Sequence, residues 1–240
     1  DRELRAKGWR EYHFDTKGHG VMPKLAKLNK EARQQYGFAL YAGGKGRPTD
    51  ALNHLRSGLE AARGIMERHP PHYRDNVALF LMEVGFTHKD LGNTHACARA
   101  LEGAIPLLES PESAHLGRAL NGYGVCVRMG ASPDDREPWL AALEAHSAAA
   151  EFFTRRRGRL TDTVAACHIF MGFSYNVLGM PREALDAFAE AEAIYVQLGM
   201  ERDATRVQNL ENIRLAKAQL RASEGARGHG IGPEEEAGDQ

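Results

Sequence analysis

The stretch from Phe170 to Leu198, FMGFSYNVLGMPREALDAFAEAEAIYVQL, has the pattern of two amphipathic helices joined by a tight turn. Within that turn, Gly179 can take the left-handed backbone conformation that ends a helix, and Pro181 favours the first turn of the next helix. In the second helix, apolar residues recur at spacings of three and four, which places them on one face. They are Ala184, Leu185, Phe188, Ala191, Ala193, Ile194 and Leu198. A single hairpin cannot bury such a face, so we expect further hairpins in the chain.

A glycine followed by an aromatic residue opens a similar segment four times. The four pairs are Gly37-Phe38, Gly85-Phe86, Gly122-Tyr123 and Gly172-Phe173. A glycine inside a helix costs about 1 kcal/mol relative to alanine, so its recurrence predicts positions where two helices approach closely. A second glycine follows each of these glycines seven or eight residues later, and we predict that it forms the turn. These later glycines are Gly44, Gly92, Gly130 and Gly179.

These offsets resemble the tetratricopeptide repeat (TPR), whose pattern is an apolar residue and glycine, an aromatic residue three positions on, a turn, and then Ala-x3-Phe. The best match is Met171-Gly172-x2-Tyr175, followed by Leu178-Gly179, Ala184-x3-Phe188 and Ala191. His168 departs from the family pattern, which has tryptophan there, and Val196 stands at the proline position. The resemblance covers residues 24 to 220. It implies an all-α fold, a right-handed superhelical array (α-solenoid) of about four TPR-like helical hairpins plus a C-terminal capping helix.

The domain organisation follows from the same pattern. We expect residues 1–22 to form an N-terminal helix and loop extension, and residues 23–222 to form the TPR-like array. Residues 223–240 hold one isoleucine and no apolar period, so we expect a disordered tail. Since the sequence begins at Asp1 without methionine, we expect it to be a segment of a longer protein.

Composition excludes some classes of partner. The net charge is -1, so no overall attraction to nucleic acid or to an anionic membrane is implied. No apolar run approaches the 18 residues or so that a membrane span needs. The three cysteines, Cys97, Cys126 and Cys167, are odd in number and lack CxxC spacing. We interpret them as small buried residues in a reducing compartment and predict a cytoplasmic protein.

Three local motifs invite a more specific interpretation. The loop from Gly43 to Pro48 contains glycines and a lysine but lacks the GxxxxGK[ST] of a phosphate-binding loop, and Thr49 or Asp50 is the expected cap of the next helix. The run from Arg155 to Arg159 has four arginines, yet no interleaved aromatic residue supports nucleic-acid binding, so we interpret it as a basic inter-repeat loop. The acidic turn from Ala131 to Pro138 lacks calcium-loop spacing. No metal or other cofactor is therefore expected.

The family resemblance also implies a concave groove lined mainly by the first helix of each hairpin. Candidate contacts are the four aromatic residues that follow the leading glycines and three polar residues one turn further along. They are Phe38, Phe86, Tyr123 and Phe173, with Lys89, Arg128 and Asn176. The alternative is that the aromatic residues belong to the core. Since phenylalanine stands at the asparagine-like position of carboxylate-clamp subfamilies, we expect an extended or helical partner segment with apolar anchors.

The leading functional prediction is a non-catalytic protein-protein interaction module that binds a peptide or protein segment. One alternative is a ligand- or peptide-sensing regulatory segment of a larger signalling or transcription-regulating protein. Another is an all-helical enzyme that uses His88, His95 or His168, which would require two such groups to converge with shifted titration. The sequence does not decide between monomer and dimer.

Overall fold

The computed structural model describes residue 4, residue 9 and residues 21–68, 73–108, 115–200 and 203–228. Throughout these residues the secondary structure is helical, and where the structure describes a connection between two helices it is short. The chain divides into two compact units, residues 1–152 and residues 153–240. The predicted all-α class is confirmed.

Consecutive helices pack against one another within each unit; for Leu116–Gly130 and Arg136–Arg157 the contact is seen at Gly124 and His146. In the first unit they are α1 (Val21–Gly44), α2 (Pro48–Met66), α3 (Arg74–Asp90), α4 (Thr94–Ala104), a 3₁₀ turn (Ile105–Leu107), α5 (Leu116–Gly130) and α6 (Arg136–Arg157), which continues into the second unit. In the second unit they are α7 (Asp162–Val177), α8 (Pro181–Gln197) and α9 (Ala204–Gly228). The predicted hairpins correspond to α1 with α2, α3 with α4, α5 with α6, and α7 with α8.

Helix starts follow local capping chemistry. The side chain of Asn93 accepts a hydrogen bond from the Ala96 amide at 3.0 Å, and that of Thr161 accepts one from Val164 at 3.2 Å. Helix α2 starts differently from the prediction, because Arg47 is its N-cap and makes no side-chain cap hydrogen bond, while Pro48 opens the first turn. Neither Thr49 nor Asp50 is the cap, so that prediction is wrong.

Several helix ends lie beyond the predicted positions. Helix α1 continues to Gly44, so Gly43 belongs to the helix and not to the loop. Helix α6 includes Arg155, Arg156 and Arg157 in its last turn, so most of the arginine run is helical and the interpretation as a loop is wrong. Helix α9 extends past Ala222 to Gly228, into the segment for which disorder was expected. Residues 229–240, most of the 1–22 extension and residues 109–114 lie outside the described residues.

The turn glycines are predicted correctly in two hairpins. Gly92 and Gly179 both have φ of 75°, in the left-handed region that favours glycine. In the first hairpin Gly46 has the positive φ, of 68°, and Gly44 is the last residue of α1. Gly130 likewise ends α5 without a positive φ. The predicted role as a turn glycine is therefore wrong for Gly44 and Gly130.

The leading glycines mark close helix contacts in three of the four cases. A Cβ atom placed at Gly85 would lie 2.9 Å from Leu101 Cγ, and one at Gly122 would lie 2.7 Å from Phe86 Cε1. One at Gly172 would lie 2.5 Å from Phe188 Cε1. At Gly37 the nearest atom is 4.0 Å away, so the predicted close approach is wrong there.

Two hydrophobic clusters are formed by described residues of the first unit. The first surrounds Tyr36 and Phe80, and Trp9 from the N-terminal segment stacks on Tyr36 with ring centroids 5.3 Å apart. The second surrounds Met82 and Leu101 and includes Cys97 and Cys126. Trp9 is thus part of the core, although most of its neighbours in sequence lie outside the described residues.

Two of the cysteines form a disulfide bond. Cys97 on α4 and Cys126 on α5 have Cα atoms 6.1 Å apart and are joined, whereas Cys167 is free and buried. Burial was predicted correctly, but the interpretation of all three residues as unpaired is wrong. Sequence spacing was a poor guide because adjacent antiparallel helices bring together residues that lie 29 positions apart. Because two of the three cysteines are joined, the cysteines do not support the prediction of a reducing compartment.

The second unit packs α8 between α7 and α9. Phe188, Ile194 and Tyr195 are buried on α8. The contact with α9 is more polar, since Arg206 donates two hydrogen bonds to Glu192 Oε1, at 2.8 and 2.6 Å, and Asn209 Nδ2 donates to the Phe188 carbonyl at 2.9 Å. These polar contacts fix how α9 sits on α8.

Candidate functional site

A groove in the first unit lies between the last turns of α1 and α3 and the start of α2. We call it the Phe86 groove. It has a volume of about 360 Å³, and small residues of α1 and α2 leave it open. Its larger lining side chains are Leu40, Leu55, Glu83, Phe86, Thr87 and Asp90. None of the described residues that line it is basic. It therefore combines an apolar floor with two carboxylates.

Phe86 is half-buried, with one edge in the protein interior. Its Cε1 atom faces Gly122 of α5, and the side chain packs against the second hydrophobic cluster. Two cations lie over the ring, with Arg118 Cζ 4.4 Å and Lys89 Nζ 5.9 Å from the centroid. Arg118 also donates a hydrogen bond to Glu83 Oε1 at 3.4 Å. Phe86 is therefore both a core residue and a lining residue, and Lys89 and Arg118 hold its ring in place.

Phe38 lies on the surface, and the residue is 45% exposed. Its ring centroid is 5.4 Å from that of His54, and His54 Nδ1 is 2.8 Å from Gln35 Oε1. Phe38 does not line the Phe86 groove. It is a separate exposed aromatic residue on α1, with its own polar neighbours.

Tyr123 and Arg128 are half-buried on α5. Burial, with Glu102 and Glu144 nearby, raises the pKa of the Tyr123 hydroxyl, and burial lowers the pKa of Arg128. Tyr123 packs against the second hydrophobic cluster. Neither residue lines the Phe86 groove, so the structure places Phe86 in the groove, Lys89 over its ring, and Tyr123 and Arg128 further along the unit.

Helix α5 also contacts a buried histidine. His146 on α6 lies against Gly124, where an added Cβ would come within 2.8 Å of the ring, and His146 Nδ1 is 3.0 Å from Asn121 Oδ1. Burial, with a contribution from Arg128, lowers the pKa of His146 to about 3. The imidazole is therefore neutral at physiological pH.

The second unit carries the other two candidate residues, on α7. Phe173 is half-buried and packs edge-on against the core ring of Phe188, with centroids 5.5 Å apart. The Oδ1 atom of Asn176 is buried and accepts no hydrogen bond from the described residues. Phe173 therefore has the mixed position of Phe86, with part of its ring packed on the core.

The three histidines of the enzymatic alternative have different surroundings. Burial lowers the pKa of His88, as do Arg56 and Arg99. Burial also lowers the pKa of His168, with Arg159 lowering and Glu190 raising it. Among the described residues no hydrogen bond joins His88 to His95, and no group of three or more metal-ligating side chains occurs. His88 and His95 therefore do not form a hydrogen-bonded pair in the described part of the chain.

The carboxylates of the Phe86 groove were missed by the sequence analysis. Glu83 and Asp90 stand three positions before and four positions after Phe86, so all three fall on one face of α3. That spacing was readable from the sequence. The contribution of α1 and α2 was not, because it depends on how the first hairpin packs on α3. No helix in the described part of the chain is long and apolar enough to cross a membrane.

Comparisons with known proteins identify the fold. No protein-family model matches the chain, and neither does any curated protein sequence. Solved structures do match it. A Podosopora anserina putative kinesin light chain with nearly identical TPR-like repeats has a TM-score of 0.59 at 13% identity, covering 85% of this chain and 91% of that one. BtubC (BKLC) from P. vanneervenii has a TM-score of 0.55 at 14% identity, covering 91% of this chain and 96% of that one. The chain is a divergent helical repeat protein with the tetratricopeptide-like, all-α solenoid fold.

Proposed function

We propose that the chain is a non-catalytic protein-interaction module that binds a peptide or protein segment, and that the Phe86 groove is its principal contact in the first unit. The observation that carries the proposal is the groove itself, where the half-buried Phe86 ring and Leu40 reach an open surface above the buried Leu55. Buried aromatic anchors are often among the few residues that carry most of the binding energy of a protein interface. The groove volume of about 360 Å³ is near the lower end of the range of small-molecule pockets, which is roughly 300–1,000 Å³. We therefore expect the groove to hold one or two side chains of a bound segment and not the whole segment.

The remaining predicted contacts extend this proposal along the first helices of the hairpins. In the first unit, Phe38, Tyr123 and Arg128 would meet the flanking parts of the segment. In the second unit, Phe173 and Asn176, both half-buried on α7, form a candidate surface of their own. A peptide-sensing regulatory segment would use the same surfaces.

The test blocks the groove without disturbing the core. A Cβ at Gly43 meets no atom within 4 Å, so Gly43→Gln places a side chain at the groove and improves helix propensity. The matched control is Gly103→Gln on α4, where a Cβ meets only Leu81 Cδ1 at 3.8 Å. A random dodecapeptide phage library is selected on the immobilised chain, and the affinities of the selected peptides are measured by fluorescence polarisation.

We expect Gly43→Gln to weaken the selected peptides at least tenfold and Gly103→Gln to leave their affinities unchanged. Both variants should retain the helical circular dichroism spectrum of the unmodified chain. Selection of no peptide, or equal binding by the Gly43→Gln chain, would show that the Phe86 groove is not a peptide-binding site.

A further inference from the structure

We propose that the Phe86 groove takes a lysine or arginine side chain of the bound segment. The aliphatic part of that side chain lies along Leu40 and Phe86, and its charged group meets Asp90 and Glu83. The inference rests on the proposed function and adds the chemistry of the partner to it.

Charge complementarity carries the inference. The groove has two carboxylates and no basic residue among the described residues that line it. The side chain of Asp90 is exposed and forms no hydrogen bond or ion pair with the described residues. Glu83 is compensated in part by Arg118, at 3.4 Å. Lys89 and Arg118 lie over the Phe86 ring and not in the groove, so a cation that enters it meets Asp90 directly.

Helix ends add to the negative potential. Asp90 is the last residue of α3, and Gly43 and Gly44 end α1, so the C-terminal turns of two helices line the groove. Each such end carries about half a negative charge. Ala51, in the first turn of α2, brings one helix end of opposite sign. A cation is stabilised near helix C-termini, whereas a carboxylate of the partner would be repelled by both acidic side chains.

The apolar floor selects a long side chain over a small cation. Lysine and arginine place methylene groups along apolar surface while the charged group stays near water. Leu40 and the Phe86 ring, both half-buried, supply such a surface beneath the carboxylates. A Cβ at Gly43 or Gly44 meets nothing within 4 Å, so the approach from the α1 side is open. The groove thus matches both parts of a basic side chain.

The experiment repeats the phage selection on the unmodified chain and on Asp90→Lys. We expect one peptide position to be enriched in lysine and arginine on the unmodified chain, and to lose that enrichment or to change to aspartate and glutamate on Asp90→Lys. Glu67→Gln, an exposed substitution at the end of α2, is the matched control and should leave the enrichment unchanged.

A double-mutant cycle then measures the contact. A selected peptide and its Lys→Gln or Arg→Gln analogue are titrated against the unmodified chain and against Asp90→Asn. We expect Asp90→Asn to weaken the basic peptide about twofold to fivefold, to leave the glutamine analogue unchanged, and to lose its effect in high salt.

The outcomes separate the two proposals. Peptides that bind in a Gly43-sensitive way but show no basic enrichment, or no coupling to Asp90, would overturn this inference and leave the proposed function standing. Failure of any peptide to bind, or binding that Gly43→Gln does not affect, would overturn both.

Discussion

Gly172→Ala should destabilise the second unit although alanine is the better helix former. Gly172 lies within α7, and a Cβ there would stand 2.5 Å from Cε1 and 2.7 Å from Cδ1 and Cζ of Phe188. The Phe188 ring is fully buried and packs against Phe173, so it has little space to move. The substitution therefore has two opposite effects on the free energy of unfolding: alanine raises helix propensity, and its Cβ crowds the Phe188 ring.

The free-energy cost of crowding Phe188 should exceed the gain in helix propensity. Alanine gains about 1 kcal/mol of helix propensity over glycine. Overpacking a well-filled core costs about 1–3 kcal/mol, and three ring atoms closer than 3.0 Å place this site at the upper end of that range. We expect a net loss of about 2 kcal/mol. Gly37→Ala is the matched control, because a Cβ there meets only Leu4 Cδ2 at 4.0 Å, and it should stabilise its hairpin by about 1 kcal/mol.

Hydrogen exchange measured by mass spectrometry on peptides from α7 and α8, and from α1 and α2 for the control, reports these local free energies. Phe188→Leu removes the ring, so Gly172→Ala should cost less in that background than in the unmodified chain. The reasoning is refuted if Gly172→Ala protects α7 as well as or better than glycine, or if its cost is the same in both backgrounds.

Three further predictions follow from the fold. Gly179→Ala should destabilise the α7–α8 hairpin by about 1–2 kcal/mol, since Gly179 has φ of 75°, and hydrogen exchange of α8 peptides measures it. Replacing Cys97 and Cys126 by alanine should cost about 3–4 kcal/mol for a 29-residue separation, measured by urea unfolding against Cys167→Ala; an equal effect of both changes would contradict a stabilising disulfide. Folding lowers the pKa of His146 to about 3, so the unfolded state binds the proton first and stability should fall as the pH drops from about 6.5 towards 3, by up to about 1.4 kcal/mol per unit. Urea midpoints at pH 7.5 and 5 should differ less for His146→Gln.

The hairpin pattern was predictable because each hairpin is specified by nearby residues. Gly179 and Pro181 define the α7–α8 turn, and the apolar spacing of α8 identifies its buried face. Helix ends were predicted less well. Helix α1 continues through Gly43 and α6 continues through the arginine run, since glycine and arginine are both tolerated in a last helical turn.

Contacts between hairpins were harder to predict, because they depend on residues far apart in the sequence. The Cys97–Cys126 bond joins α4 to α5, and no short-range spacing of cysteines in the sequence predicts this pairing. The acidic character of the Phe86 groove could have been anticipated from Glu83 and Asp90 on one face of α3. The open space beside them could not, since Gly43 and Gly44 were assigned to a loop.

The position of each aromatic residue after a leading glycine depends on what packs against its ring. Phe86 is half-buried because its edge fits against Gly122 of the following hairpin, and Phe173 is half-buried because it packs on Phe188. Phe38 contacts His54 instead and stays 45% exposed. One aromatic residue can therefore pack on the core with one edge of its ring and still line the surface with the other edge. A ring that is anchored on one edge and exposed on the other loses little side-chain entropy on binding, which favours Phe86 over the freer Phe38 as the principal anchor.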